Sequence, residues 1–297
     1  MIYSDKIKFY LIIFFELISF PFYFLYQIFN HYLIKIKNTH VKYRSPIVDF
    51  TNVYFHVHEW GGYPNIRQKK LKNSKSFFCG LNGYLSKIKE YSGEKSLHSV
   101  ITMSNVELYP NKDYLAKSVD KFIEVKNNGM DFSGYSAMYN YVKNKPNAFI
   151  IISNSSVNLA NIDFIDSYIS YMNDNPDVGI IGISYNTRCN QSLIRNKFRP
   201  HIQSFFYFTT ISVLDEIVAV NNGIFPGSLA LDKRLIIRDG EIKISELAMF
   251  LGYKLAIVCE NGSVFTFDSN ASYKNWSIPH GDMRYSVDCP NVINYIK

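Results

Sequence analysis

A mostly parallel α/β sheet flanked by helices is the fold this sequence predicts, and three observations predict it. Short runs rich in Val, Ile and Phe alternate with amphipathic segments along most of the chain. One run, Ala148 to Ile152, is apolar without a break and ends abruptly in Ser153, Asn154, Ser155 and Ser156. That is the signature of a strand buried on both faces that reaches a polar sheet edge. Before it stands a polar, glycine-bearing turn, Asn127-Asn128-Gly129-Met130-Asp131, opening an amphipathic segment. Turn, helix, buried strand and polar strand end together place polar groups at the carboxyl edge of a sheet, where open α/β sheets bind ligands.

In chain order, Ile7 to Phe29 is strongly apolar, broken by Glu16, Ser19, Pro21 and Gln27. As a helix it would measure about 34 Å at ~1.5 Å per residue, enough for a hydrocarbon core of ~30 Å. A mid-bilayer carboxylate is costly, so Glu16 favours an interfacial helix as the alternative to a spanning one. Lys35, Lys37, Lys42 and Arg44 follow it, which predicts a membrane-associated protein whose main domain faces the cytoplasm. Residues 1–45 therefore read as an anchor or interfacial helix with a basic flank, and residues 46–297 as one catalytic domain.

Asn52 to Val57 reads as the first strand, with His56 and His58 on one face, running into a turn at Glu59 to Tyr63. The two histidines have metal-capable spacing but lack a third ligand, so a half-buried strand is the simpler reading. Asn82 to Tyr91 is a helix, Leu97 to Met103 and Phe122 to Val125 are strands, and Ile162 to Met172 is a helix before a strand at Val178 to Ser184. A polar, basic stretch, Thr187 to Pro200, precedes His201 to Phe208. Helices follow at Ser212 to Val220 and Ile244 to Leu251, the second closed by Gly252. Late strands are Leu255 to Val258 and Val264 to Phe267. The tail carries His280, Asp282 and Arg284.

Composition narrows the function. A net charge of +7 and a pI near 9.0 suit an anionic partner such as a lipid surface or a sugar nucleotide; nucleic acid is not among the expected partners. The four cysteines form no CxxC pair, which argues against a zinc site or disulfide scaffold. No P-loop, GxSxG, HExxH or dinucleotide glycine fingerprint is present.

From about Asn52 to Phe267 the order of motifs resembles a GT-A-type glycosyltransferase domain of the bacterial rhamnan-synthesis and polysaccharide-biosynthesis kind. Four pieces carry the resemblance: Asn127 to Asp131 as an Asn-x-Gly-x-Asp loop, Phe149 to Val157 at the strand that precedes an acidic metal motif, His201-Ile-Gln-Ser-Phe-Phe206, and Ser245-Glu246-Leu247 ahead of Gly252-Tyr253-Lys254. The resemblance implies a GT-A-like (Rossmann-like) fold and transfer of a sugar from a nucleotide-diphosphate sugar to a surface-glycan or lipid-linked acceptor. Asn128, Gly129, Asp131, Asn154, Ser155 and Ser156 would bind the donor. Glu246 would be the catalytic base, with inversion if it acts by direct displacement. His201, Gln203, His280, Asp282 and Arg284 would serve the acceptor or the diphosphate.

Plainer roles stand beside these. Asp131 or Ser133 also suits a helix N-cap, Gly129 a turn, and Glu246 a helix-dipole partner. His201 and Gln203 also suit satisfied core groups. Asn154 and Ser156 occupy the position of the usual acidic motif, and neutral side chains hold Mg²⁺ or Mn²⁺ poorly. Metal use is thus left open, with His280, Arg284 or the Arg188–Arg199 loop as other sources of positive charge. The competing functions are a nucleotidyl- or phosphosugar-transferase and a degenerate, membrane-tethered glycan-binding protein.

Overall fold

A computed structural model describes residues 4–19, 22, 41–44, 52–70, 76–145, 147–158, 162–188, 198–271 and 293–297. The chain opens with helix α1 (4–19). It continues through β1 (Asn52–Trp60), a hairpin of β2 (Arg67–Lys70) and β3 (Ser76–Cys79), α2 (Leu81–Glu90), β4 (Ser96–Ser104), α3 (Lys112–Ser118) and β5 (Lys121–Val125). Next come α4 (Asp131–Val142), β6 (Ala148–Asn154), α5 (Phe164–Asp174), β7 (Val178–Gly182), β8 (Tyr185–Arg188) and β9 (Phe198–Ile202). The remainder is β10 (Phe206–Thr210), α6 (Ile211–Val220), α7 (Lys233–Ile236), a π-helical turn (Ile237–Ile242), α8 (Lys243–Phe250), β11 (Lys254–Val258) and β12 (Val264–Phe267).

Eight strands form one sheet in the order β12-β11-β7-β10-β6-β1-β4-β5. Pairings of β1 with β4, β1 with β6, β4 with β5 and β7 with β11 are parallel, while β10 runs antiparallel to both β6 and β7. This is the mixed, mostly parallel α/β sheet that the alternation of elements predicts. From β1 the chain proceeds outward to β4 and β5, then returns to lay β6 on the other side of β1. The switch in direction therefore lies between β1 and β6, where such sheets open a crevice beyond their carboxyl ends.

The apolar run of β6 is explained by its place. Ile150 and Ile152 enter one core with α4, α6 and α8, while Phe149 and Ile151 enter the other with α2 and α5. Each such side chain contributes roughly 1.5–3 kcal/mol on burial, so a polar residue on either face would be costly. The same holds for β1, whose residues Val53 to Glu59 are all buried. The expected half-buried strand is thus a central one, and it runs on through Glu59 and Trp60 where a turn was expected.

Of the apolar segment Ile7 to Phe29, residues 7–19 and 22 are described and the rest lie outside the described residues. Among the described residues no helix is long and apolar enough to cross a membrane. Helix α1 instead packs on the domain through Phe9, which is buried, and through Ile12 and Ile13. Its Glu16 pairs with Arg238 at 2.8 Å, and Asp5 accepts from the Leu231 amide at 2.7 Å. Two cations of the expected basic flank are also engaged by the domain. Lys42 pairs with Glu216, and the buried Arg44 donates to the carbonyls of Val178 and Met172. Burial brings the Arg44 guanidinium down to about 10.

Candidate functional site

Beyond the carboxyl end of β6 lies a cavity of about 290 Å³. Asp131, Asn154, Ser156, His201, Gln203, Ser204, Lys233 and Glu241 supply its polar wall, and Met130, Phe132, Phe205, Ile236 and Ile237 its apolar wall. Its existence follows from topology. The carboxyl end of β6 faces the start of the antiparallel β10, with Phe206 opposite Ser153, so residues 201–205 arrive at the same edge as Asn154.

The β6 side is built first. Asn154 donates its side-chain amide to Asp131 at 2.7 Å, and its amide oxygen accepts from the Ser156 amide at 3.1 Å. Asp131 begins α4, the end of the helix where a carboxylate is favoured by the dipole. What fixes α4 against the sheet is Gly134, one turn on. A Cβ there would fall 2.3 Å from His58 Nδ1 and 2.4 Å from Thr102 Oγ1. The positive φ of this turn, 49°, falls on Met130 rather than on Gly129. Such strain in a non-glycine residue recurs at functional sites. Ser133 holds the turn by accepting from the Gly129 amide at 2.8 Å, and neither Asp131 nor Ser133 caps the helix.

His56 and His58 do not form a metal pair. Both ring systems contact the Thr102 hydroxyl, at 2.8 and 2.9 Å, and burial holds both well toward the neutral form. For His58 the nearby Asp131 carboxylate and Thr102 oppose that shift without cancelling it.

Arg67 of β2 bridges the sheet edge, donating to the Ser155 hydroxyl at 2.7 Å and pairing with the buried Glu59 at 3.2 Å. Its guanidinium also lies 4.4 Å from the centre of the Tyr63 ring. Burial pushes the Glu59 carboxyl up, and Arg67 opposes the shift. These residues do not fit a divalent cation. The Asn154 side chain is engaged at both ends, Ser155 faces a guanidinium, and the one carboxylate on this wall is Asp131. Among the described residues no group of three acidic, His or Cys side chains has metal-binding geometry.

The opposite wall carries the residue that sequence reading missed. Glu241, in the π-helical turn, accepts from the Ser204 amide at 2.8 Å and the Ser204 hydroxyl at 2.7 Å, and meets His201 Nε2 at 3.4 Å. Burial pushes its carboxyl up, but His201 and Ser204 outweigh that and leave it below its ordinary value. The His201 Nδ1 lies 2.7 Å from the Arg199 carbonyl. A carbonyl only accepts, so Nδ1 donates, and Nε2 meets the carboxylate favourably only when it too carries a proton.

Of the expected donor-binding residues, Asp131, Asn154 and Ser156 line the cavity. Gly129 shapes the turn behind them, Ser155 is turned to Arg67, and Asn128 is exposed. His201 and Gln203 both line it, Gln203 accepting from Ser184 at 2.7 Å. Glu246 does not. It forms a two-pronged ion pair with Arg199, whose Nε lies 2.6 Å from Oε1. That pair also occupies Arg199 as a source of positive charge. His280, Asp282 and Arg284 lie outside the described residues. Glu241 was hidden by its neighbours: Arg238-Asp239-Gly240-Glu241 looks like a polar turn, and a π-helical turn breaks the 3.6-residue period that reveals a helix.

Residues 100–221 match the family described as Rhamnan synthesis protein F. The resemblance is of the rhamnan-synthesis type. The matched span holds the Asn127–Asp131 turn, the β6 edge and the His201–Phe206 segment, while Glu241 and Glu246 lie beyond it. No curated protein matches the chain. Among solved structures, glucosyl-3-phosphoglycerate synthase of M. tuberculosis is similar at 8% identity over 60% of this chain and 66% of that one, with a TM-score of 0.35. The chain therefore spans just under two thirds of that relative. CMP:2-keto-3-deoxy-manno-octonic acid synthetase complexed with CTP is similar at 11% identity over 70% and 89% of the two chains, with a TM-score of 0.40.

Proposed function

We propose that this rhamnan-synthesis-type protein is a glycosyltransferase that moves a sugar from a nucleoside-diphosphate sugar to a glycan or lipid-linked acceptor in polysaccharide synthesis at the cytoplasmic face of a membrane. The observation that carries the reading is the cavity itself. It sits beyond the carboxyl end of β6, with a hydrogen-bonded Asp131–Asn154 pair on one wall and the Glu241–Ser204–His201 group on the other.

The β6 wall suits the donor. Asp131 accepts from a ribose hydroxyl or a base amide, and Ser156 offers a hydroxyl beside it. Lys233, on the cavity rim, places an ammonium where the departing diphosphate needs one. Lys69, whose pKa burial lowers, shares a face of β2 with Arg67 and feels the Asp131 carboxylate, adding a second cation near the same edge. With the neutral Asn154–Ser156 edge, charge neutralisation rests on these side chains.

Glu241 takes the base role first assigned to Glu246. Its carboxylate lies in the cavity wall, and among the described residues no guanidinium holds it. It accepts the proton of the acceptor hydroxyl as that oxygen attacks the anomeric carbon and the nucleoside diphosphate departs. A single displacement of this kind inverts the anomeric centre.

Thermal stabilisation by uridine, guanosine, cytidine and thymidine diphosphates, with and without Mn²⁺, tests the reading. One nucleotide should raise the melting temperature to the same extent with and without the metal. No shift with any of them removes the transferase reading, and a shift seen only with Mn²⁺ removes the metal-free account.

A further inference from the structure

Helix α1 has two faces with opposite fates. Toward the domain it turns Asp5, Phe9, Ile12, Ile13 and Glu16, all of which find partners there. Away from the domain it presents Ile7, Tyr10, Leu11, Phe14, Phe15 and Ile18, each more than half exposed. At about 100° per residue, Ile7, Leu11, Phe14 and Ile18 fall along the middle of that outer face. Lys6 and Lys8 fall on its two opposite margins and are exposed, Lys8 also lying 3.8 Å from Asp239 of the domain.

A soluble surface helix carries polar residues outward. Here both acids of the helix point inward and both lysines stand at the edges of an apolar sector. We propose that α1 is a membrane-docking helix that lies flat in the interface of an anionic bilayer, with its outer face among the acyl chains and Lys6 and Lys8 at the phosphate level.

The charge pattern chooses the occupant. A second copy of this positively charged chain would bring Lys6 and Lys8 against their own kind, whereas anionic headgroups complement them. The inward contacts choose the orientation, because insertion across the bilayer would strip Glu16 from Arg238 and Asp5 from the Leu231 amide. The Glu16 carboxylate, costly inside a bilayer, is thereby kept on the protein side.

Position links the helix to the cavity. Its partners Arg238 and Asp239 belong to the π-helical turn that carries Glu241, and the Arg234 guanidinium lies 3.9 Å from the centre of the Phe9 ring. Lys233, Ile236 and Ile237 from the same stretch line the cavity. Docking of α1 therefore sets the cavity beside the headgroup layer, the level at which a lipid-linked acceptor presents its hydroxyl; this last point rests on the transferase reading.

Co-sedimentation of the full chain with vesicles tests the proposal. The protein should bind vesicles of phosphatidylcholine and phosphatidylglycerol in equal parts, and more weakly phosphatidylcholine alone. Phe14→Asp with Ile18→Asp, both pointing outward, should lower the partition coefficient roughly a hundredfold. Lys6→Glu with Lys8→Glu should lower it roughly tenfold on the anionic vesicles only. Unchanged partition in the Phe14/Ile18 variant overturns the proposal. So does a dimer by light scattering that this variant converts to monomer, which would assign the face to a second copy. The nucleotide-induced thermal shift, measured in parallel, separates the two readings. A retained shift without vesicle binding defeats the docking alone, and vesicle binding without any shift defeats the transferase reading alone.

Discussion

Glu241 and Glu246 lie five residues apart on one continuous helical stretch, yet they meet opposite environments. Glu246 is bound at both oxygens by Arg199 and is about one third exposed. Glu241 is turned into the cavity, where a serine and a histidine hold it without neutralising it by a fixed cation. An acid bound by a guanidinium is a fastening between β9 and α8, whereas a carboxylate that lines a cavity and is held by serine hydrogen bonds is placed to accept a proton. Glu241 lies in the π-helical turn and Glu246 in α8, so the two reach different partners.

The largest expected effect comes from separating these two acids. Glu241→Gln should lower transfer by about 10²- to 10⁴-fold while leaving the nucleotide-induced thermal shift in place. Glu246→Gln should cost less than about threefold in turnover. The reverse ranking would return the base role to Glu246.

The next effect is on the support beneath Asp131. Gly134→Ala drives a methyl group into His58 and Thr102, and should destabilise the fold by about 1–3 kcal/mol in denaturant unfolding. Wild-type stability in that variant would show that α4 is free to shift and that Gly134 does not set the position of Asp131.

Asn154→Asp sharpens the contrast between the two walls. It replaces a donor with a second carboxylate 2.7 Å from Asp131, and two ionised groups that close repel. Stability should fall by about 1–2 kcal/mol at neutral pH and recover on acidification or on addition of Mn²⁺. Unaltered stability at every pH would mean that the Asp131–Asn154 bond is not what holds this wall.

pH gives a subtler change. His56 and His58 are held neutral by burial, so below about pH 6.5 the unfolded chain binds protons that the folded chain refuses. Stability should therefore decline as pH falls below that value, and His56→Gln should flatten part of the slope. Glu241 adds to the same trend at more acid pH, since its folded pKa is depressed and its contribution is lost as pH falls through it. The smallest effect is on the fastening pair itself. Glu246→Gln should change folding stability by about 1 kcal/mol or less, because the pair is partly open to solvent.

Much of the scaffold was legible in the residues. Short apolar runs placed β4, β5, β11 and β12 to within a residue, and the unbroken apolar run marked β6 as buried on both faces. Gly252, at φ 96°, ends the helix where a C-terminal glycine was expected. The β2–β3 hairpin was not legible, because Arg67-Gln-Lys-Lys70 alternates no apolar residues and reads as a solvated basic cluster. Its pairing depends on β3 and on Arg67 reaching Glu59 and Ser155, contacts that no local pattern records.

The site was half legible for the same reason. Asp131, Asn154 and Ser156 stand in one continuous turn-helix-strand unit whose order exposes them. His201 and Gln203 were named by their motif, while their partner Glu241 lies some forty residues away and is delivered by a π-helical turn. Of the N-terminal segment expected to be helical, residues 4–19 form α1. Its Glu16 could be interpreted only once Arg238 was in place.

Calorimetric titration of the nucleoside diphosphate chosen by the thermal panel, into wild type and Asp131→Ala in a metal-free buffer, tests the central claim most directly. Binding to wild type without added metal, weakened at least about tenfold in the variant, is the expected result, as loss of one hydrogen bond to a charged group costs about 1.5–3 kcal/mol. Equal affinity in the two proteins, or none in wild type, would contradict the assignment of the β6 edge and the start of α4 as the donor site.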